Sequence, residues 1–553
     1  MKNKSTIFLS LVMLFSAVGC NDYLEEVNNS NVVAEEFYTT QEGYESLVNA
    51  TYATLRDVYG SEPWIFSAGT DLFVEGRNQQ PEGISEYRNL GPAEGAVEDF
   101  YLNVYAAIRQ ANTALYYNDI TEETALLEQR KGEIKFLRAY YYFLLVQQFG
   151  DVALVTDFLN EVVTEFERRP ASEVYQFIIS EMEEALELVP ENAESRGRVD
   201  KAAVYHFLAK AHLTRGYESY AAADDFQKAA AYADEAISRG SLVNSFGELF
   251  FPGNENNEEV LFAVQYSSSS IVDPREDGHM QNLFFGPYLG GEGAVQGYPY
   301  RSNTLVPTMF LFNAFSEHDA RFEATFMVEV YDRYYDYYDR NGELDALVVE
   351  TYFAPRWAVQ DTAAWRAVNP ETRAAARIRP YPIGWEAGAN SLDGTSPGIK
   401  KFDDPKSAFS NNGSSTRDII LARLGETYLI AAEAYLQMGQ PGTAAERINA
   451  VRLRAAKPGS EAQMSITADV VDIDFILNER ARELAGEYHR WFDLKRTGEL
   501  VERTRLYNRD IRTWFESGIN PFEGTDGNLK ILRPIPQLAI DLNEADVQQN
   551  PGY

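Results

Sequence analysis

Along the first half of the chain, apolar residues recur at helical spacing. In residues 132–150, Phe136, Ala139, Tyr140, Phe143 and Gln147 stand at i, i+3, i+4, i+7 and i+11. Leu137, Tyr141, Leu144 and Leu145 widen that face until little of the circumference is polar. The pattern predicts a helix buried on nearly all sides and stopped by Gly150-Asp151. A second helix is predicted over 172–189, with Ser172 as N-cap and Pro190 as stop. Asp200 is placed to cap a third, which carries Val204, Leu208 and Ala211 on one face. After Gly216 a fourth runs through Ala229, Ala233, Ala236 and Ile237, and small residues let these two helices approach closely.

The same design returns at 424–456. A helix ends near Gly439, Pro441-Gly442 makes the turn, and Ala444-Ala445 opens the return helix. Small residues at the crossing, a glycine turn and a second amphipathic helix resemble a tetratricopeptide hairpin. The units are scattered, so helical pairs are predicted and not a regular array. Further helices are predicted at about 470–486 and 489–503.

Between 267 and 416 the periodicity weakens. Gly290-Gly291, Pro299, Pro380, Pro382, Gly394 and Asn411-Asn412-Gly413 punctuate a stretch dense in aromatics. It is too aromatic for a disordered linker, and loops held on a rigid scaffold are where binding residues tend to lie. Within it Tyr331, Tyr334, Tyr335 and Tyr338 have the i, i+3, i+4, i+7 spacing of an inward-packed helix face.

The N-terminus adds an address. Lys2 and Lys4 precede an apolar run over 7–18, and Ala17-Val18-Gly19 leads into Cys20, the single cysteine of the chain. The run is too short to span a bilayer and suits a cleaved secretory segment. The small-residue stretch ending in Cys resembles the lipobox of bacterial lipoproteins, in which the cysteine is acylated and becomes the mature N-terminus. Ala17 stands where Leu is more usual. One cysteine excludes intrachain disulfides and multi-thiolate metal sites. A net charge of −35 repels nucleic-acid phosphates and anionic headgroups, so no nucleic acid is expected as a partner.

Catalytic patterns fail on mechanism. Residues 394–398 spell G-x-S-x-G, yet Pro397 follows the serine and has no backbone N–H to offer an oxyanion. His206, His212, His279, His318 and His489 form no zinc-binding pair. Aligning Gly342 with the fixed glycine of an EF-hand puts Tyr337 and Val348 at ligand positions, which rules that loop out. A structural calcium on irregularly spaced oxygens keeps a place among the readings but not a location; no other cofactor is expected. Acid pairs are too many to single out a glycosidase dyad. Glu479, Arg480, Arg482 and Glu483 read as an ion-pair network within one helix.

Several segments together resemble the SusD/RagB family of outer-membrane lipoproteins of Bacteroidetes: 136–156, 169–186, 197–213, 417–439, 476–496 and 532–553. The resemblance implies a mainly α-helical fold on a tetratricopeptide-like scaffold. It divides the chain into a signal peptide (1–19), an N-terminal helical region (20–266), the loop-rich insert (267–416) and a C-terminal helical region (417–553). It further implies a lipid anchor on Cys20, a place on the cell surface at the outer membrane, and capture of a nutrient, usually an oligosaccharide, as the lid of a SusC-type TonB-dependent transporter. The shared motifs carry scaffold residues, so Glu479, Arg480, Trp491 and Asp493 are read as packing and ion-pair groups.

Sugars offer a C–H face to aromatic rings and a rim of hydroxyls to Asp, Asn and Arg. On that chemistry the candidate ligand residues are Trp64, Asp71, Arg77 and Asn78 in one polar loop, Tyr298 and Tyr300 around Pro299, and Trp357, Trp365 and Trp385. Trp365 follows Asp361-Thr362-Ala363, which resembles a D-T-A segment common in the family's insert. A non-enzymatic glycan-binding lipoprotein is expected. The alternatives are a peptide or other nutrient binder of the same transporter type and, behind it, a surface glycoside hydrolase.

Overall fold

The computed structural model describes residues 34–60, 62–77, 80–267, 269, 277–288, 301–339, 342, 344–385, 396–407 and 413–553. Cys20 and the segment 1–19 lie outside them, as do Asn78, Tyr298 and Tyr300. The fold is mainly α-helical, as the periodicity predicted. Leu127–Phe149 is buried at every position from Ile134 to Phe149 except Lys135. It packs between Gly95–Asn118 and Ala171–Leu188 and ends at Gly150, which takes φ 68°. The next helix begins one residue before Ser172. Its Ala171 N–H donates to Asp151 Oδ1 at 2.8 Å, so the cap comes from the end of the preceding helix and not from Ser172. Asp200 does cap Lys201–Arg215, accepting from the Ala203 N–H at 3.1 Å.

The scattered hairpins join in space. Asp225–Ile237 packs on Lys201–Arg215 and also on Leu424–Gln437, which in turn packs on Pro441–Arg454. Ala209, Ala229, Ala230 and Ala233 meet Ile430, Ala431 and Ala434 at that joint, and the short side chains permit the close approach. Pro441 is the first residue of the return helix, where its missing N–H costs nothing. The turn therefore falls at Gly439 (φ 73°), two residues before Pro441-Gly442. Gly498 (φ 77°) splits the helix predicted at 489–503 into Arg490–Arg496 and Leu500–Tyr507.

The strand Val260–Val264 pairs antiparallel with Ile419–Arg423, and His279 bridges Ser415, so the insert leaves and re-joins the scaffold at one place. His279 is buried and satisfied as the neutral ring: Nε2–H donates to the Arg417 carbonyl (2.8 Å) and Nδ1 accepts from the Gln281 N–H (3.3 Å). Burial pushes its pKa from 6.5 down to about 4. A depressed histidine is protonated in the unfolded chain first, so stability is lost as pH falls from 6.5 toward 4. The loss from this group is on the order of 3 kcal/mol. In urea titrations at pH 7.5 and 4.5, His279→Gln should show a smaller acid loss than the parent; equal losses would contradict this.

Within the insert, Glu329–Tyr331, Val349–Ala354 and Arg377–Pro380 form a three-stranded sheet, the first pair antiparallel and the second parallel. This overturns the tyrosine helix face. Tyr331 ends a strand and Tyr334–Tyr338 is a 3₁₀ turn, because Val349–Ala354 supplies the ladder partner that local periodicity cannot reveal.

Beneath the insert lies a buried ion-pair cluster. Glu483 accepts from Arg321 (2.8 Å), Arg423 (2.7 Å) and Arg454 (2.5 Å), while Glu479 meets Arg321 (2.8 Å), Arg452 (2.7 Å) and Arg482 (2.5 Å). Of these pairs only Arg482–Glu479 is internal to the helix Ile473–Glu483, so the cluster ties separate elements together instead of bracing one helix. Arg480 holds Asp493 (2.6 Å) and Glu426 (3.0 Å), and Trp491 is buried with its indole N–H 3.1 Å from the Tyr87 hydroxyl.

A candidate ligand-binding cleft in the insert

Alternation along the insert's strands puts Glu329 and Tyr331 on one face, with Tyr352 directly across from Glu329 in the register. Val330 and Phe353 take the opposite face and enter the core. On the open face, Tyr352 carries the indole of Trp365 in parallel stacking, with ring centres 4.0 Å apart and an interplanar angle of 1°. Trp365 stands on the short helix Thr362–Val368, started by Asp361, whose carboxylate accepts from the Ala364 N–H at 3.0 Å.

Glu329 organises this corner. It accepts from the Trp365 indole N–H (2.8 Å) and the Tyr331 hydroxyl (2.8 Å), and Arg373 lies 3.2 Å away while its guanidinium also covers the Trp365 ring. Tyr331 stacks on Tyr337 at 5.3 Å, and Lys400 Nζ donates to the Tyr337 hydroxyl at 2.9 Å. Trp357, just beyond the strand Val349–Ala354, stands edge-on to Phe322 at 4.8 Å. These side chains enclose a cleft of about 360 Å³, the size that holds a small ligand. Glu323 lies on its wall. One of its oxygens pairs with Lys457 at 2.7 Å, and the other, Oε2, is buried with no hydrogen-bond partner among the described residues. Burial, with Glu329 nearby, raises the Tyr331 phenol well above its ordinary range and Tyr352 to about 12, so both stay protonated donors at neutral pH.

Of the candidates named from sequence, the structure brings Trp357 and Trp365 together here. Trp64 is in the core, its ring 4.6 Å from Phe284 and its N–H bonded to Glu62 at 2.5 Å. Asp71 is fully buried, clamped by Arg490 (2.6 Å) and Arg503 (2.9 Å), and these cations hold its carboxyl below the usual range against the burial that would raise it. Trp385 is fully buried between Phe312 and Tyr381. A carboxylate or indole so enclosed has no face to give a ligand, so these three are scaffold. Arg77 lies apart, its guanidinium 3.6 Å over the Tyr288 ring. Sequence reasoning missed Glu329, Tyr331, Tyr337, Tyr352, Arg373 and Lys400; the period-two stretch Glu329-Val330-Tyr331 was the available signal. Among the described residues, no cluster of three or more His, Cys, Asp or Glu is placed to hold a metal ion, and no helix is long and apolar enough to cross a membrane.

A tetratricopeptide-like scaffold with an aromatic cleft on an insert describes one class of protein. Residues 258–553 match the model described as the SusD family, and the chain belongs to that family. Residues 22–213 match a SusD-like model described as starch-binding, associating with the outer membrane. A SusD-like protein of Formosa agariphila is 26% identical over 98% of both chains. The starch-binding protein SusD of Bacteroides thetaiotaomicron is 26% identical, covering 86% of this chain and 82% of its own. Among solved structures, a laminarin-binding SusD-like protein superimposes with a TM-score of 0.67 at 22% identity, over 93% of this chain and all of the other. The surface glycan-binding protein A of Bacteroides thetaiotaomicron, in complex with laminarihexaose, gives 0.65 at 19%, again over 93% and 100%.

Proposed function

We propose that the protein is a lipoprotein of the outer-membrane surface, anchored through Cys20, that captures an oligosaccharide without cleaving it and passes it to a SusC-type TonB-dependent transporter. The observation that carries the reading is the cleft: Tyr337 and Trp357 supply ring surface beside the Trp365 indole that Tyr352 and Arg373 hold, and Glu323, Arg373 and Lys400 supply partners for hydroxyls. Aromatic faces bury the C–H side of a pyranose, while charged groups at the edge form charge-assisted hydrogen bonds to the rim. Relatives named as binding starch and laminarin support the substrate class. The experiment is a glycan array followed by isothermal titration, with casein tryptic peptides as the competing ligand. A glycan hit with no released product is expected. Binding of peptides alone would replace the reading with peptide capture, which the mixed charge of Glu323, Glu329, Arg373 and Lys400 would also suit.

The anchor has its own test. Cys20→Ala should leave the body folded and ligand-competent while moving it out of the outer-membrane fraction and stopping uptake. Surface retention of that variant would contradict lipidation at Cys20.

A further inference from the structure

A second cleft, also about 360 Å³, lies away from the insert between the helix Gly95–Asn118, the stretch 153–168 and the C-terminal residues 535–547. Its wall is largely apolar, with Ile108, Val155, Leu159, Val163, Ile535 and Leu542 beside the rings of Tyr105 and Phe166. The apolar character continues onto the surface, where Val162 is 92% and Leu542 69% exposed. Exposed aliphatic surface joined to an open apolar cleft marks an interaction site.

The chemistry narrows the occupant. Four of the polar side chains around the cleft are already bonded internally, while Arg109, Asp157 and Thr164 also line it. Tyr105 donates to the Ala153 carbonyl at 3.1 Å. Asn112 donates to the Val155 carbonyl and accepts from Arg138, both at 2.9 Å. Asn543 bonds the Phe166 backbone twice and accepts from the Ala545 N–H, and Arg168 is spent on Asp151, Phe149, Gln548 and Asn550. A sugar or peptide would bring hydroxyls or amides that find few partners here and would lose their water. A saturated hydrocarbon chain has no such cost.

Position selects which chain. The described polypeptide begins with the helix Ala34–Tyr38, whose Tyr38 ring is 5.3 Å from Tyr117, and Tyr117 is 6.2 Å from Phe158, the residue before Leu159 on the cleft wall. Residues 20–33 precede that helix, and an extended stretch of that length reaches up to about 50 Å. A group carried on Cys20 is therefore held near the cleft at high effective concentration.

We propose that this cleft houses one acyl chain of the lipid on Cys20 whenever the protein is away from a bilayer. The proposal rests on the lipidation read above. In a membrane the bilayer takes the chain and the cleft stands open. In water the cleft shields it, which lowers the exposed apolar surface of a protein that must cross an aqueous space before it is anchored.

The test is titration with dansyl-undecanoic acid in detergent-free buffer, on the monomeric fraction of the lipidated protein and of its Cys20→Ala form. Cys20→Ala should bind one probe per chain, and the lipidated protein at least tenfold more weakly, because its own chain competes. In the Cys20→Ala background, Val163→Asp and the more exposed Leu542→Asp should each weaken the probe at least tenfold, with far-UV circular dichroism and oligosaccharide binding unchanged. No probe binding by Cys20→Ala overturns the cleft's role, and equal binding by both forms overturns occupancy by the protein's own lipid. Mass spectrometry of the natural protein separates the two readings: an unmodified Cys20 removes the anchor, while probe binding still reports on the cleft.

Discussion

Glu483→Gln should lower the stability of the whole fold by about 3–5 kcal/mol, the usual cost of removing one partner from a buried ionic cluster. Glu483 is fully buried and faces Arg321, Arg423 and Arg454, of which the first two are themselves enclosed. Gln keeps the shape and two polar atoms but leaves three guanidinium groups with one negative charge fewer. Glu479, Glu259 and Glu487 remain as partners, so the cluster is strained and not dissolved. The same residue sets an acid limit. Burial alone would raise its pKa, but Arg454, Arg423 and Arg321 outweigh burial and hold it at about 2. A depressed carboxylate stabilises the fold above its unfolded pKa near 4.5, and that contribution is lost as pH falls through 2. Thermal denaturation at pH 7 should therefore show a large drop in midpoint for Glu483→Gln, and the difference from the parent should shrink as pH falls from about 4.5 toward 2. A variant as stable as the parent at pH 7 would show that the cluster contributes nothing net.

The second large effect concerns ligand. Trp357→Ala and Trp365→Ala should each weaken oligosaccharide binding by roughly ten- to a hundredfold, the range of about 1.4–3 kcal/mol expected when a central aromatic anchor is truncated. Trp365 acts in two ways, since its ring holds Tyr352 and the Arg373 guanidinium in place and its N–H donates to Glu329. Trp365→Phe separates them: it keeps a face stacked on Tyr352 and loses only the N–H bond, so it should cost less than Trp365→Ala. Adding Tyr337→Ala to both tryptophan changes should abolish binding while the far-UV spectrum stays that of the parent, because all three rings are at least partly exposed. By contrast Trp64→Ala should destabilise the core without a specific effect on affinity, as its ring packs on Phe284.

How much of this was legible in the chain follows from how local each feature is. The helix Leu127–Phe149 was plain because its burial repeats every turn, and Asp200 was plain because a cap acts three residues away. The place of Leu424–Gln437 beside Asp225–Ile237 was not, since the two are brought together only by tertiary packing. Asp71 looked like a polar loop residue next to Arg77 and Asn78; its partner Arg490 lies 419 positions on. Glu483 suggested intrahelical pairs, yet its partners come from three other segments. In the insert, residue type could not separate Trp357 from Trp385. Both sit among prolines and aromatics, and only the sheet decides that one faces a cleft and the other the core. The tyrosine spacing misled for the same reason, because strand pairing with Val349–Ala354 overrode a pattern only eight residues long.

The most direct measurement is a crystal structure of the protein with the tightest oligosaccharide found on the array. The expected result is a sugar ring against Trp357, with further contacts to Tyr337, Arg373 and Lys400. Sugar bound elsewhere with this cleft empty, for example over Arg77 and Tyr288, would contradict it.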